Sequence, residues 1–158
     1  MENLKIVNIV ATFNIGQIFS NNRFRWIAEY GLNTELNPKR PHIIIIRLRR
    51  IHKNQSHYTI SAILSKNGKI ILSGAKNNQE VYRMAHRVTR YIIYAVNMGA
   101  KLDNHTHDYG QYKVKNLKIQ NITGHMTFPF NINIKSLQND IEDKKFEMIF
   151  CSSQYKPS

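Results

Sequence analysis

Residues 64–76 read LSKNGKIILSGAK, and the question they raise is whether the glycines mark a phosphate-binding loop or a turn between strands. A phosphate loop needs four residues between its glycines and then Lys-Ser or Lys-Thr. Here five residues separate Gly68 from Gly74, and Ala75 follows. Asn67-Gly68 favours a turn, because a two-residue type I′ hairpin needs positive φ at both central positions and Asn-Gly tolerates it cheaply. Tyr58 to Leu64 on one side and Ile70 to Ser73 on the other are rich in β-branched and aromatic residues, so the stretch reads strand, turn, strand.

Upstream of this hairpin, HIIIIRLRR at 42–50 predicts a further strand over Ile43–Arg49. Alternation puts Ile43, Ile45, Arg47 and Arg49 on one face and Ile44, Ile46 and Leu48 on the other. Residues 50–58, RIHKNQSHY, read as a polar, basic loop. Downstream, a long helix is expected over Asn78–Met98, with Asn77 and Glu80 as a capping box and Gly99 as its stop. Val81, Met84, Ala85, Val88, Ile92, Ala95 and Val96 form its apolar stripe. Arg83, His86, Arg87 and Arg90 lie on the more polar side, either a solvated face or a surface for a protein partner. A shorter helix fits Asn21–Tyr30, with Ser20 or Asn21 as cap and Gly31 as terminator. The first 100 residues thus read β, α, β, β, β, α, an α+β plan with antiparallel strands on one side and helices on the other. Such a sheet keeps one face free, and a free face that is apolar as well as basic is a binding site or an aggregation hazard.

Charge says what such a face would meet. Lys and Arg number 23 against 10 Asp and Glu, a net charge of +13 over 158 residues, and a field of that sign draws polyanions, nucleic acid above all. With 42% hydrophobic residues the chain is long enough to bury a core. No apolar run approaches the roughly 20 residues of a membrane span, and the N-terminal MENLKIVNIVATF lacks the secretory pattern. The lone Cys151 excludes an intramolecular disulfide and fits a reducing compartment. Asn-x-Ser/Thr matches at Asn54, Asn104 and Asn121 read as chance in so Asn-rich a chain.

Self-similarity adds a further layer. KIVNIV at 5–10 returns as KIQNIT at 118–123, and Lys113–Thr123, like Leu4–Thr12, reads as the first strand of a unit. With NIVATF (8–13), NPKR (37–40) before the IIIIRLR strand, NGKIILSGAK (67–76), the long helix and LKIQNI (117–122), the chain resembles the core domain of the TATA-box-binding protein family; FPFNINIKSL (128–137) and SSQY (152–155) match more loosely.

The resemblance implies an α+β saddle, a curved antiparallel sheet with helices on its convex face. Its first repeat would span 1–102, an inserted inter-repeat loop 103–112, and an incomplete second repeat 113–158. The family's sheet sits on the DNA minor groove and bends the duplex with apolar wedges. By matching position, Asn8 and Asn121 would hydrogen-bond base edges, with Val10 and Thr123 beside them. Arg40, Arg47, Lys69 and Lys76 would contact phosphates, and Ile63, Ile71 and Ser73 would line the concave face. Pro41 and Ser65 stand where the family keeps two wedge phenylalanines, so weaker kinking is expected. That departure resembles the TATA-binding-protein-like branch; the alternative is a divergent orthologue of the main factor. The implied role is a nuclear, non-enzymatic transcription initiation factor, with double-stranded promoter DNA and general transcription initiation factors as partners and no cofactor, membrane or small-molecule substrate. The competing role is a protein-interaction factor of the same fold that has lost TATA-specific bending.

Two loops exceed the family norm, 50–58 in the first-repeat stirrup and DNHTHDYGQY at 103–112. His105, His107 and Asp108 offer a metal reading, but without a second ligand cluster a polar linker is the expectation. Cys151 has no organised His and acid near it in sequence, so a packed or free thiol is expected rather than a nucleophile. The fold also serves as an accessory domain in some nucleases and glycosylases, against which NPKR and SGAK argue. Because the family's repeat continues beyond the residue matching Ser158, a fragment or truncated product is expected, poorly soluble alone unless it dimerises through the unpaired sheet edge.

Overall fold

In a computed structural model, residues 4–51, 57–104, 112–127 and 133 are described. The chain divides into a unit of Leu4–His125 and a second unit of Met1–Asn3 with Met126–Ser158; every element below belongs to the first. In chain order these are β1 (Lys5–Asn14), α1 (Asn21–Tyr30), β2 (Thr34–Leu36), β3 (Ile43–Ile51), β4 (His57–Ser65), β5 (Lys69–Ala75), α2 (Asn78–Leu102) and β6 (Lys115–His125). The strands form one sheet in the order β2-β3-β4-β5-β1-β6, with every neighbouring pair antiparallel.

The sheet follows from period-two alternation. Ile9, Ala11 and Phe13 of β1, Ile44, Ile46 and Leu48 of β3, Ile60, Ala62 and Leu64 of β4, and Ile70 and Leu72 of β5 are all buried beneath the helices. Each large aliphatic side chain among them contributes about 1.5–3 kcal/mol by leaving water. The helices bring Phe24, Trp26 and Ile27 from α1 and the stripe from Val81 to Val96 of α2 to the same core. The α+β class and the one-sided helix layer therefore hold as read from the sequence.

Local details differ from the sequence reading in four places. The hairpin tip is not type I′: Gly68 has φ +84° while Asn67 is not among the positive-φ residues. Gly68 N–H donates to Ser65 O at 2.9 Å, which makes a three-residue connection ending in a left-handed glycine. The tip is pressed against the chain after β1, where Ile15 N–H donates to Gly68 O and a Cβ on Gly68 would lie 2.0 Å from Gln17 O. The extra strand β2 was too short for any period to reveal. Part of the expected 50–58 loop is strand, with Arg50 opposite Tyr58 and Ile51 opposite His57.

Of the two caps the sequence offers for α1, Ser20 serves, accepting from Arg23 N–H at 3.3 Å. Finally, Gly99 does not end α2, which runs on to Leu102 with Asp103 as cap. A Cβ at Gly99 would sit 2.1 Å from Trp26 Cγ, so the glycine is a place of close helix-helix approach. Asp103 completes that junction: its Oδ2 accepts from Trp26 Nε1 at 2.6 Å and from Arg25 Nη2 at 2.9 Å.

The start of α2 is built as expected around Asn77, whose side chain accepts from Glu80 N–H at 2.8 Å. Glu80 reaches one residue further back than a standard capping box, taking Lys76 N–H at 2.9 Å. It is 3% exposed and also accepts from the Tyr58 hydroxyl. His105, His107, Asp108 and Cys151, and the stretches 128–132 and 152–155, lie outside the described residues.

Candidate nucleic-acid interface

The face away from the helices is organised in rows by strand register. One row runs Ile45, Ile63, Ile71, Thr12 and Lys118 across β3, β4, β5, β1 and β6. The next runs Arg47, Ser61, Ser73, Val10 and Asn121 across the same strands. Outside the first row Ile43 faces Ser65 and Asn14 pairs with both Lys69 and Lys115. Beyond the second, Arg49 faces Thr59 and Asn8 faces Thr123. The result is an aliphatic row beside a polar one, with Arg47, Arg49, Lys69 and Lys118 exposed around them.

The register therefore gathers Asn8, Val10, Arg47, Ile63, Ser65, Lys69, Ile71, Ser73, Asn121 and Thr123 on one face. Three sequence candidates sit apart. Arg40 is exposed in the turn before β3, its N–H donating to Asn37 O at 3.0 Å. Pro41 lines a cavity of about 400 Å³ between that turn and α1, with Phe24, Ala28 and Leu36. Lys76 holds its ammonium 4.4 Å from the centre of the Tyr58 ring, and Tyr58 packs against the core on the α2 side.

Asn8 is the most constrained polar group on the face. β5 bulges at Gly74, because Ile9 pairs with Ala75 while Val10 pairs with Ser73. Gly74 takes φ +108°, and its Cβ would lie 2.7 Å from Thr59 O. The bulge aims Gly74 N–H at Asn8 Oδ1, 2.7 Å away, with Ser73 Oγ at a longer 3.4 Å. With its oxygen engaged, Asn8 presents its amide N–H groups, which have no partner among the described residues.

β1 and β6 are related by a local two-fold. Asn8 pairs with Thr123 and Val10 with Asn121, about the central pair Ile9 and Ile122. In the internal repeat Asn8 corresponds to Asn121 and Val10 to Thr123, so each asparagine faces the other's small neighbour. Burial breaks the symmetry: Ile9 is 1% exposed and Ile122 52%.

Sequence matching missed Thr12, Ile45, Ser61, Lys118, Gln120 and Glu35 as members of this face. Alternation along β3 already placed Ile45 beside Arg47. Gln120 was hidden by irregular register in β6 and is fixed by Gln120 Nε2 donating to Thr12 Oγ1 at 2.8 Å. Glu35, on the unforeseen β2, binds Arg47 at 2.8 Å. No group of three or more His, Cys, Asp or Glu among the described residues is arranged to hold a metal.

Fold and face together define an α+β protein with an open, cationic sheet face and both helices behind it. The chain belongs to the family of transcription factor TFIID, the TATA-binding protein, whose model matches residues 3–94. It is similar to the TATA-box-binding protein of Tetrahymena thermophila, 30% identical over 153 residues, which cover 97% of this chain and 50% of that protein. The TATA-box-binding protein of Acanthamoeba castellanii is 31% identical over 130 residues, 82% of this chain and 42% of the relative. That of Saccharomyces cerevisiae is 28% identical over 130 residues, 82% of this chain and 45% of the relative. The chain thus spans about half the length of the curated relatives it matches.

Proposed function

We propose that this chain is a DNA-binding transcription initiation factor that lays its open sheet face on the minor groove of promoter DNA, acting in the nucleus with other general initiation factors. The observation that carries the reading is the Asn8 amide, whose oxygen is tied to Gly74 N–H so that only donors are offered outward. The minor groove at A·T pairs displays acceptors and no donor, and G·C adds a donor that such an amide cannot satisfy. Asn121 supplies a second amide across the local two-fold, with Val10 and Thr123 as small neighbours that allow close approach. Ile45, Ile63, Ile71 and Ser73 supply the surface against the groove floor.

Arg47 and Lys69 flank these rows at positions suited to backbone phosphates, with Arg40 at the margin. Lys76 joins them only on leaving the Tyr58 ring. Residues 1–102 act in this reading as one repeat and β6 as the opening strand of a second, supported by the two-fold between β1 and β6. The reading assigns no catalytic residue and no cofactor.

Pro41 and Ser65 carry no aromatic ring to drive between base pairs, so the bend from this half is small. That favours a second reading, a protein-interaction factor that has kept the fold and lost TATA-specific bending. One experiment separates the two: affinity and bending of A·T-rich and G·C-rich duplexes over a salt series. A preference for A·T-rich duplex supports the promoter reader. Salt-steep binding with no preference and no bend sinks it.

A further inference from the structure

Of the described carboxylates Glu29, Glu35, Glu80 and Asp103, only Glu35 stands on the open sheet face. It lies opposite Ile45 in the β2–β3 register, one diagonal step from Arg47 on the same face. Glu35 Oε2 accepts from Arg47 Nη2 at 2.8 Å, with the two side chains 58% and 52% exposed. Arg49 projects from the same face about 7 Å further along β3 and has no carboxylate partner among the described residues. Its cross-strand neighbour is Thr59. These four residues, with Asn33 and Thr34, line a shallow depression of about 310 Å³. The corner therefore holds two guanidinium groups and two hydroxyls, Thr59 and a Thr34 already donating to Ala28 O at 3.1 Å, with one carboxylate seated on one of the guanidinium groups.

We propose that this corner is a phosphodiester subsite in which Glu35 is an internal competitor. In the free protein Glu35 occupies the Arg47 guanidinium; in the complex a backbone phosphate displaces it and bridges Arg47 and Arg49, with the Thr59 hydroxyl as a further donor. The inference rests on the duplex-binding reading above. A guanidinium fork matches carboxylate and phosphate with the same donor geometry, so the two anions compete for the same N–H groups. The existing pair is solvent-exposed, and exposed pairs are weak and screened by salt. Displacement is therefore easy, but the released carboxylate stays close enough to oppose the phosphate. Glu35 holds duplex affinity below what the two arginines alone would give, and leaves binding more dependent on the Asn8 and Asn121 contacts.

The test uses the full chain and an A·T-rich duplex, with affinity followed by fluorescence anisotropy across a salt series. Glu35→Gln is expected to tighten binding about 3–10-fold at low salt and to steepen the slope of log K against log salt by about one. Glu29→Gln changes net charge equally on the helix layer and is expected to tighten binding less than about 2-fold, since distant exposed charges are screened. Arg49→Gln should weaken binding about 5–10-fold and flatten the slope by about one. In an Arg47→Gln background the gain from Glu35→Gln should vanish.

A Glu35→Gln effect no larger than that of Glu29→Gln, or a gain that survives Arg47→Gln, overturns the proposal while leaving duplex binding intact. A parent chain that binds no duplex at any salt overturns the duplex reading and this inference together. A separate titration with inorganic phosphate distinguishes the anion's source. Weak binding of free phosphate supports a nucleic-acid subsite, whereas saturation of the Glu35→Gln protein at concentrations as low as for duplex makes it a free-anion site and overturns the proposal.

Discussion

Asn8 Oδ1 and Gly74 N–H, 66 positions apart in sequence, meet at 2.7 Å across the β1–β5 boundary. That bond does two things at once. It satisfies a backbone donor that the bulge takes out of the β ladder, and it decides which end of the Asn8 amide faces outward.

Asn8→Asp keeps the acceptor for Gly74 and replaces the outward N–H groups with a second oxygen. Duplex affinity should fall about 10-fold or more, as for loss of a good base-edge contact, and the preference for A·T-rich sequence should disappear. The urea midpoint should move little. Anisotropy and urea unfolding on the same preparations check both parts, and an Asn8→Asp protein that binds A·T-rich duplex like the parent would show that donors at this position are not what reads the groove.

Gly74→Ala strikes the same junction from the backbone side. Its φ of +108° disfavours an L side chain, and its Cβ would lie 2.7 Å from Thr59 O. A loss of about 1–3 kcal/mol is expected. Urea unfolding followed through the single Trp26 measures it, and a variant as stable as the parent would mean the bulge is not constrained as described.

Gly99→Ala tests which role that glycine plays. Within an open helix the change stabilises by up to about 1 kcal/mol. Here the new methyl group meets Trp26 Cγ at 2.1 Å, and overpacking of this kind costs about 1–3 kcal/mol. The sign of the change in unfolding free energy decides, with destabilisation expected.

Glu80→Gln probes the buried start of α2. The carboxylate takes Lys76 N–H and the Tyr58 hydroxyl, and hydrogen bonds to charged groups contribute about 1.5–3 kcal/mol each. A loss of about 1–2 kcal/mol is expected in urea unfolding, because the amide keeps one acceptor. Loosening the anchor should also free Lys76, which a shorter-lived contact with Tyr58 would reveal by NMR of the two side chains.

Much of the fold is visible in local pattern. Ile44, Ile46 and Leu48 alternate with Ile45, Arg47 and Arg49, and every one of the first three is buried. The stripe on α2 and the Asn77 cap were equally plain. The α+β class followed, and so did the two faces of β3, which alternation alone assigns; Ile63, Ile71 and Ser73 on β4 and β5 were placed by the family resemblance. What local pattern did not reveal are positions whose neighbours come from elsewhere in the chain. Gly68 is shaped by Gln17, Gly99 by Trp26, and Lys76 by the Tyr58 ring; in each case the residue type was noticed and its partner was not.

The same division holds for the candidate interface. Composition, alternation and the repeated Lys-Ile-x-Asn-Ile pattern determined by themselves a basic antiparallel sheet with a strand motif that occurs twice, because net charge and side-chain period are properties of the chain taken in order; that Asn8 and Asn121 act as a pair was implied by the family resemblance alone. Only the tertiary structure decided that Asn8 turns its donors outward, that Glu35 sits on Arg47, and that Lys76 faces the helix layer. Those outcomes depend on register and on one bulged residue in β5. A shift of one position in a strand exchanges its faces, and the register is set by packing of the whole sheet against the two helices.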